Sequence, residues 1–474
     1  MRSIVCCLTL GLTVLASCTT PEPEPEPQPP EVVFEVGQGM VTARDVNSRG
    51  LLDRRGQVHA HSVYSGDACD GEPVSEDGVR DQDCFDDFRA AVCQTRQDFI
   101  MLTDHRDAFD ETEFPEALLY REDRGDRLVD HGAGPTANHL SCDGIAGAEG
   151  FSTLILGGNE SFEQMPVGVE GHPVPREERG DLYGHRSPEH AQILRDAGAV
   201  ILLAHPENWT AEELAAPELD GFEMFNLHRL FMTKLVYALD LAVRFSEGDP
   251  SLPVPDLAAV RLFEQDALYL SLWSQVAMMG EKKTMTFGTD CHQNTLPGDA
   301  GDGERIDSYR RMMGWMSNHL LVDAGDDGEI DDRDLKDALK AGRLYGAFEM
   351  YGSPAGFDFY AESTLGPVEM GGELSVADQP ELIATLPDVD GLWERELPEV
   401  SLHLFKAADD GAWDEVSSAT GAGGTLRHAV TEPGVYRVEA HIVPHHLEDE
   451  LGGQAWFVLQ EQHVWVMSNP IYVR

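Results

Sequence analysis

The sequence predicts an α/β fold, built as an α/β barrel or an open parallel sheet, with an antiparallel β-sandwich behind it. After residue 50, near-continuous apolar runs alternate with helix-like stretches, which is typical of buried parallel strands joined by helices. Beyond about residue 362, short strands of alternating polarity are separated by Gly and Pro turns, which indicates an antiparallel sandwich of roughly 110 residues.

Each predicted parallel strand ends in polar residues. The apolar runs cover residues 99–102, 153–156, 199–203, 221–225 and 284–287. Between them, Ser187 followed by Pro188 predicts the start of a helix, with a capping hydroxyl and a proline in the first turn. Ligand groups gather at the carboxyl ends of parallel strands, so the His, Asp and Glu that follow these runs are candidate site residues. The predicted sandwich strands are residues 400–405, 434–440 and 464–466.

The N-terminus predicts export. A basic Arg2, an apolar run over residues 4–16 and a small-residue end describe a secretory signal that is too short to span a membrane. Cys18 directly after Leu-Ala-Ser resembles the lipobox of bacterial lipoproteins, which implies lipidation of Cys18 and an anchor in the outer membrane of the cell envelope. We therefore expect a signal peptide over 1–17, a stiff Pro/Glu-rich linker over 18–32, a catalytic domain over 33–362 and a sandwich over 363–474.

Composition limits the partners. The 474 residues include 34 Lys and Arg against 85 Asp and Glu, a formal net charge of −51. Such a charge repels a phosphate backbone and an acidic membrane surface, so we expect a small-molecule substrate, no nucleic acid, and membrane contact only through the lipid at Cys18.

The cysteines that follow Cys18 predict disulfides in an oxidising compartment. Cys69, Cys84, Cys93 and Cys142 allow three pairings into two bridges, and the sequence does not choose among them. Cys291 is the odd residue, because it lies within a motif of metal-ligand type.

His59 and His61 begin the ligand pattern, because residues two apart in a strand point to the same face. Further His, Asp and Glu residues follow the apolar runs. The candidate metal ligands are His59, His61, Asp67, His105, Glu160, His172, His205, Asp290 and His292. Nine ligands exceed the capacity of one ion and suit a cluster of two or three. Imidazole and carboxylate donors without thiolates favour Zn, Mn or Fe.

This ordered set resembles the PHP (polymerase and histidinol phosphatase) superfamily over roughly residues 50–350. The resemblance implies a distorted (β/α)₇ barrel with a trinuclear metal site. His172 is the loosest match, because His185 and His190 lie within reach of the same position. The C-terminal tail around residues 465–472 is similar to a secreted branch that includes the CehA/McbA carbamate-ester hydrolases. Cys291 departs from the pattern, where a small residue is usual, and a buried thiol is the simpler interpretation.

These features predict a metal-dependent hydrolase in which a bridging hydroxide attacks the substrate, with a phosphoester as the first substrate class. The alternatives are a carbamate or carboxylic ester hydrolase, and a surface lipoprotein that binds metal without catalysis. Asp104 and His228 are candidate proton donors to the leaving group. Asp104 alternatively orients its neighbours, and His228 is alternatively a plain loop histidine. Arg229 or Arg186 is a candidate clamp for an anionic substrate.

A second, calcium-binding site is a weaker prediction. Residues 323–334 partly fit a calcium loop, with Asp at positions 1, 5 and 12 and Gly at position 6. Gly325 stands at position 3, where a ligand is expected. An acidic turn that caps a helix beginning at Asp332 is the simpler interpretation.

Overall fold

A computed structural model describes residues 34–39, 46–75, 79–325, 328–392, 395–421 and 424–474. The predicted signal peptide, Cys18 and the linker over 18–32 lie outside the described residues. The described residues from 34 onward belong to one compact unit. Within this part of the chain, no helix has both the length and the apolar character needed to cross a membrane.

Residues 52–347 alternate strands and helices around a central sheet. The strands are β1 (Leu52–Ala60), β2 (Phe99–Leu102), β3 (Asp104–His105), β4 (Arg127–Asp130), β5 (Pro135–Ser141), β6 (Ser152–Leu156), β7 (Asn159–Glu160), β8 (Met165–Val167), β9 (Val200–Leu202), β10 (Gly221–Asn226), β11 (Thr284–Gly288), β12 (Ser317–Val322) and β13 (Leu344–Ala347). The helices are α1 (Gln82–Gln94), α2 (Arg106–Phe109), α3 (Arg176–Gly184), α4 (Pro188–Asp196), α5 (Ala211–Leu214), α6 (Leu227–Thr233), α7 (Leu235–Ser246), α8 (Ala267–Met278), α9 (Tyr309–Trp315) and α10 (Asp332–Lys340).

The strands from residue 354 onward are mainly antiparallel. Its strands are β14 (Pro354–Ala355), β15 (Asp358–Glu362), β16 (Val368–Glu369), β17 (Glu373–Leu374), β18 (Glu381–Thr385), β19 (Asp388–Val389), β20 (Glu399–Ala407), β21 (Trp413–Thr420), β22 (Thr425–Ala429), β23 (Gly434–Val443), β24 (His463–Ser468) and β25 (Ile471–Val473). Two short helices, α11 (Glu448–Leu451) and α12 (Ala455–Val458), lie between β23 and β24.

The central sheet is large and mixed, which confirms an α/β fold. Its strand order is β17-β25-β23-β24-β13-β12-β1-β2-β6-β5-β4. The β1–β2 and β2–β6 pairs are parallel, as the apolar runs predict, whereas β12 and β5 join this core antiparallel. The side chains of β2 are buried throughout, which explains its continuous apolar pattern.

The remaining predicted strands form small sheets beside the central one. β10 and β11 pair in parallel, as expected. β9 pairs antiparallel with β8, so the expectation that the run over 199–203 belongs to a purely parallel set is wrong for this pair. Hydrophobic periodicity reports burial and carries no information on strand direction, so sequence could not have corrected it.

Single backbone hydrogen bonds connect these sheets to one another. Leu203 N donates to Gly221 O, and Glu223 N donates to Leu203 O, which ties the end of β9 to β10. Asp290 N donates to His59 O and His61 N to Cys291 O, which ties the segment after β11 to the end of β1. As a result, the carboxyl ends of β1, β9, β10 and β11 lie close together.

The C-terminal strands are antiparallel, as predicted, with β23 pairing β20 on one side and β24 on the other. β24 also pairs with β13, so these strands continue the central sheet. A separate antiparallel sheet has the order β16-β15-β18-β22. The domain boundary at residues 362/363 stays a prediction.

Two disulfides connect α1 to other segments of the chain. Cys69 is bonded to Cys84, and Cys93 to Cys142, which resolves the pairing that the sequence left open. Cys291 is a free, buried thiol, in agreement with its prediction as the odd cysteine. Burial and the neighbouring Asp290 raise the pKa of this thiol, which therefore stays protonated at neutral pH.

Candidate metal centre

The centre is built on the carboxyl end of β1, where His59 and His61 lie two residues apart on one face. Both side chains are buried, and their ring centroids are 5.0 Å apart. The backbone hydrogen bonds between residues 59–61 and 290–291 place Asp290 and His292 against this pair. Two distant stretches of sequence therefore meet at one strand end.

The predicted ligands form two adjoining groups whose ligand atoms all lie within 4.8 Å of one another inside each group. The first group is His61, Asp67, His105 and His292, and the second is His59, His61, Glu160 and Asp290. His61 belongs to both. A third group joins His228 to Asp290 and His292. The described residues thus contain neighbouring His/carboxylate clusters that could hold a metal ion.

Two buried carboxylates join these groups. Glu160 Oε2 lies 3.3 Å from His59 Nε2 and 3.2 Å from His61 Nε2, while Oε1 lies 3.6 Å from His205 Nε2. Asp290 Oδ1 is 3.4 Å from Nε2 of both His59 and His61, yet it accepts no hydrogen bond from the described residues. Buried oxygens of this kind require a cation or a proton.

The tautomers of three histidines follow from their outer hydrogen bonds. His59 Nδ1 donates to Glu223 Oε1 at 2.6 Å, and His292 Nδ1 donates to the carbonyl oxygen of Asp290 at 2.9 Å. The Ser65 hydroxyl donates to Asp67, so it accepts from His61 Nδ1 at 3.1 Å. In the neutral rings, each Nε2 therefore directs a lone pair into the cluster.

These lone pairs face one another at short distances. His59 Nε2 lies 2.9 Å from His61 Nε2, and His292 Nε2 lies 3.4 Å from His105 Nε2. Two neutral imidazoles in this arrangement repel unless a positive charge lies between them. Imidazole nitrogens and carboxylate oxygens around such a position are the donor set of Zn, Mn and Fe sites, so the residues fit a metal.

The pKa shifts describe the metal-free cluster. Burial alone lowers the pKa of His59, but the carboxylates of Asp290, Glu223 and Glu160 outweigh it and raise the pKa well above its usual range. Burial likewise opposes the rise of the His205 pKa to about 11, which hydrogen bonding to Asp290 produces. The pKa values of Glu160 and Asp290 are lowered by the histidines despite burial. Without metal, protons supply the missing positive charge.

Glu223 is a functional residue that the sequence analysis missed. It lies fully buried in β10, where Oε1 orients His59 and Oε2 accepts hydrogen bonds from Asn226 Nδ2 and His205 N. A Cβ at Gly288 would collide with its carboxylate, so the close approach of β11 requires glycine there. The available signal was a lone charged residue within the apolar run 221–225.

His205 is held in a left-handed backbone conformation, with φ +54°, and Asp290 has φ +52°. Such conformations are uncommon for residues other than Gly and cluster at functional sites. His205 Nδ1 lies 3.6 Å from Glu207, whose other oxygen accepts a hydrogen bond from Tyr269. Glu207 is a second orienting carboxylate that sequence reasoning missed, and its position two residues after a ligand was the signal.

The centre has a buried floor and an accessible rim. The side chains of His59, His61, Glu160 and Asp290 are at most 7% exposed. The side chains of His105, Asp67, His205 and His228 are 34%, 50%, 31% and 37% exposed. A small molecule can therefore reach the ligand atoms from one side.

His172 is not part of the centre, which corrects its assignment as a ligand. Its ring nitrogens contact the Tyr183 hydroxyl and the Thr112 carbonyl, each at 2.9 Å. Its ring also packs against Phe109 and Phe114. A Gly-His-Pro sequence cannot distinguish a ligand from such a histidine, whose two nitrogens are satisfied by the protein.

The two candidate proton donors lie in different places. Asp104 is buried and accepts hydrogen bonds from the Ser62 N–H at 2.7 Å and the Ser62 hydroxyl at 2.8 Å, so both its oxygens hold the turn after His61. This matches the alternative role of orienting its neighbours. His228 lies on the rim, with Nδ1 3.7 Å from Asp290 Oδ2.

Arg229, a candidate clamp for a substrate anion, has carboxylate neighbours. Its Nε lies 3.6 Å from Asp266 and 3.9 Å from Glu207, so carboxylates already balance its charge. Its backbone N–H donates to Asn226, the N-cap of α6.

The predicted calcium loop is described only in part, since Asp326 and Asp327 lie outside the described residues. Asp331 caps α10 by accepting hydrogen bonds from Arg333 N and Asp334 N, as the simpler interpretation expects. His131 joins Asp331 and Asp332 in a further group of possible ligands. Lys336 neutralises Asp332 at 2.9 Å.

Neither the protein-family models nor the curated proteins that were searched contain a match to this chain.

Proposed function

We propose that this protein is a metal-dependent hydrolase that binds two or three divalent ions, Zn, Mn or Fe, at the centre around His61, and that its substrates are phosphoesters. The observation that carries the proposal is the pair of facing imidazole nitrogens, His59 Nε2 and His61 Nε2, 2.9 Å apart beside two buried carboxylates. Two neutral imidazole nitrogens at this distance repel each other. Two ligands of one ion approach this closely because the cation between them attracts both lone pairs.

The division of the candidate ligands into two groups supports the binding of more than one ion. Asp67, His105 and His292 lie on one side of His61, and His59 and Asp290 on the other. Glu160 contacts histidines of both groups, since Oε2 is also 3.6 Å from His105 Nδ1. A carboxylate in this position reduces the repulsion between neighbouring cations.

We further propose that the strands around the centre form the distorted barrel of the PHP resemblance. Support comes from the hydrogen bonds that connect β9 to β10 and the end of β11 to the end of β1. The bridge between Gly158 and Val167 connects β6 to β8 in the same way. The lipid anchor at Cys18 and a location in the outer membrane remain part of this proposal.

Divalent ions at the centre would lower the pKa of bound water and polarise an oxygen of the scissile group. The protein's own groups then set the geometry. Glu223 holds His59 in the tautomer that presents Nε2, Glu207 lies 3.6 Å from His205 Nδ1, and Asp104 holds the turn after His61. His228 is the group on the rim from which a proton can reach the leaving oxygen.

Phosphoesters come first because two or three cations match the negative charge of a phosphoryl group. The test is hydrolysis of phenyl phosphate and 4-nitrophenyl phosphate by the metal-loaded chain, with His228→Gln and a matched His190→Gln control. We expect His228→Gln to lower kcat for phenyl phosphate by roughly 10²-fold, and to affect the nitrophenyl ester less, since its leaving group needs no proton. The control should resemble the wild type.

Hydrolysis of 4-nitrophenyl acetate without hydrolysis of either phosphate would move the assignment to the carboxylic or carbamate ester class. Metal binding without turnover of any of these esters would favour the remaining alternative, a surface lipoprotein that binds metal without catalysis. An equal loss for both phosphate esters in His228→Gln would remove the proton-donor role.

A further inference from the structure

Two aromatic side chains and one arginine, close in sequence to the candidate ligands, contact one another. Phe162 follows the ligand Glu160 by two residues, and Trp209 follows the ligand His205 by four. Their ring centroids lie 5.4 Å apart, and Phe162 is 69% exposed. Phe162 thus presents an exposed aromatic ring beside the half-buried ring of Trp209.

Arg186 completes this cluster. Its guanidinium carbon lies 4.7 Å from the centroid of the Trp209 ring, in a cation–π arrangement. Its backbone N–H donates to Glu163 Oε2 at 2.9 Å, which fixes the residue between α3 and α4 next to the loop that carries Phe162. The other oxygen of Glu163 faces His185 at 3.6 Å, so this carboxylate holds the backbone and a histidine.

Two hydrogen-bond donors of this cluster lack acceptors. Arg186 Nη1 and Trp209 Nε1 are both buried, and neither has a hydrogen-bond partner among the described residues. Both groups can only donate, so the missing partner carries acceptor oxygens. Two unpaired donors on stacked side chains point to an oxyanion, because a buried donor left without an acceptor is costly.

Charge distinguishes Arg186 from the other candidate clamp. Arg229 lies within 4 Å of two carboxylates, whereas the Arg186 guanidinium makes no ion pair with the described part of the chain. In a protein with a net charge of −51, a guanidinium that makes no ion pair among the described residues is available to an external anion.

We propose that Arg186 and Trp209 form an anion-binding subsite that takes a second oxyanion group of the substrate, with Phe162 covering a planar part of the leaving group. The subsite rests on the proposed function for its link to catalysis. The reacting group occupies the metal centre, so the substrate is an ester whose leaving group carries a carboxylate or phosphate of its own. Arg186 and Trp209 here are binding residues that determine specificity.

The first test measures binding without turnover. Trp209 fluorescence is titrated with benzoate, phenylphosphonate and neutral benzamide, in the metal-loaded and the metal-free chain. Trp209→Phe identifies the signal among the seven tryptophans. Arg186→Gln removes the charge, and Arg176→Gln on α3 is the matched control, since Arg176 pairs with Glu111 at the surface.

We expect saturable quenching by the anions and none by benzamide, with binding weakened about tenfold or more in Arg186→Gln and unchanged in Arg176→Gln. A preference between benzoate and phenylphosphonate identifies the anion as carboxylate or phosphate. Equal binding by Arg186→Gln and wild type, or equal quenching by benzamide, would overturn the subsite.

The second test connects the subsite to the reaction. The ratio of kcat/KM for 3- or 4-carboxyphenyl phosphate to that for phenyl phosphate should exceed one in the wild type and fall about tenfold in Arg186→Gln, with unchanged metal content. An unchanged ratio in that variant contradicts the proposal. If the chain binds anions but has no hydrolytic activity, the subsite is supported and the proposed function is contradicted.

Discussion

Two buried clusters of histidine and carboxylate side chains lie at opposite ends of β1, and they differ in how their polar atoms are paired. β1 carries Asp53 and Arg55 near its start and His59 near its end, and His61 directly follows it. Near the start, His319 contacts Asp53 through Nδ1 at 2.9 Å and Glu349 through Nε2 at 2.8 Å. Both nitrogens of His319 thus have carboxylate partners, whereas the Nε2 atoms of His59 and His61 face each other.

This difference in hydrogen-bond partners distinguishes a structural histidine from a candidate metal ligand. The carboxylates around His319 also accept hydrogen bonds from the Tyr345 and Ser317 hydroxyls, at 2.6 Å each, so the network closes on itself. At the other end of β1, Asp290 Oδ1 accepts nothing from the described residues. A cluster whose polar atoms are satisfied stabilises the fold, and one that leaves lone pairs facing each other could hold a cation.

The largest expected effect comes from breaking the open cluster. Asp290→Asn removes a ligand charge shared by the groups around His59 and His292, and we expect it to lower kcat/KM for phosphoester hydrolysis by about 10³-fold or more. His319→Gln, the matched change in the closed cluster, should keep most of this activity. Steady-state kinetics on both variants, with circular dichroism as the folding control, makes the comparison. Equal losses would contradict the distinction between the clusters.

The closed cluster should govern stability through pH. Burial lowers the pKa of His319, but Asp53 and Glu349 outweigh it and raise the pKa to about 9, above the 6.5 of an unfolded histidine. The resulting stabilisation, about 3 kcal/mol, is complete below pH 6.5 and is lost as the pH rises through about 9. Urea unfolding between pH 6 and 10 should show this decline in the wild type.

In His319→Gln, the part of the decline that His319 causes disappears, and the two proteins converge in free energy of unfolding above pH 9. A difference between them that stays constant across this range would show that His319 carries no shifted proton.

A smaller effect is expected at the carboxylates that orient the histidines. Glu223→Gln leaves the ligand atoms in place but weakens the hold on His59, so we expect metal affinity to fall roughly 10- to 100-fold. Glu349→Gln makes the same change beside His319 and should lower stability without altering metal affinity. Competition with a chromophoric chelator measures both affinities. The same affinity for wild type and Glu223→Gln would remove the assigned role of Glu223.

Metal affinity should also depend on pH. The carboxylates raise the pKa of His105 to about 9, against the effect of its burial, and metal must displace that proton. We therefore expect the affinity to weaken as the pH falls from 9 to 6, with protons released on binding. Calorimetry in buffers of different ionisation enthalpy counts them. Binding without proton release would contradict the protonated metal-free cluster.

The sequence predicted the part of the site that short motifs encode. His59 and His61 share a strand face, and His105, Glu160, Asp290 and His292 directly follow or end strands, so their meeting follows from the carboxyl-end rule. Glu223 was missed because a charged residue within an apolar run has no motif, and its role depends on the register of β10 against β11. His172 was misplaced because only packing shows that both its nitrogens are occupied.

The fold was predictable to the level of alternating buried strands. Strand direction at β8–β9 and the pairing Cys69–Cys84 depend on contacts between distant segments, which local patterns do not carry. The continuation of the central sheet into β24 likewise depends on a pairing with β13, more than 100 residues earlier in the chain.

We infer that the cluster at the end of β1 binds metal and that the cluster at its start does not. Elemental analysis of the purified chain, after reconstitution with Mn, Fe or Zn, tests it directly beside His59→Ala and His319→Gln. We expect two to three equivalents of metal per chain in the wild type, a clear loss of metal in His59→Ala, and the wild-type metal content in His319→Gln. A folded wild-type chain that retains no metal, or a His59→Ala variant that retains all of it, would contradict the account.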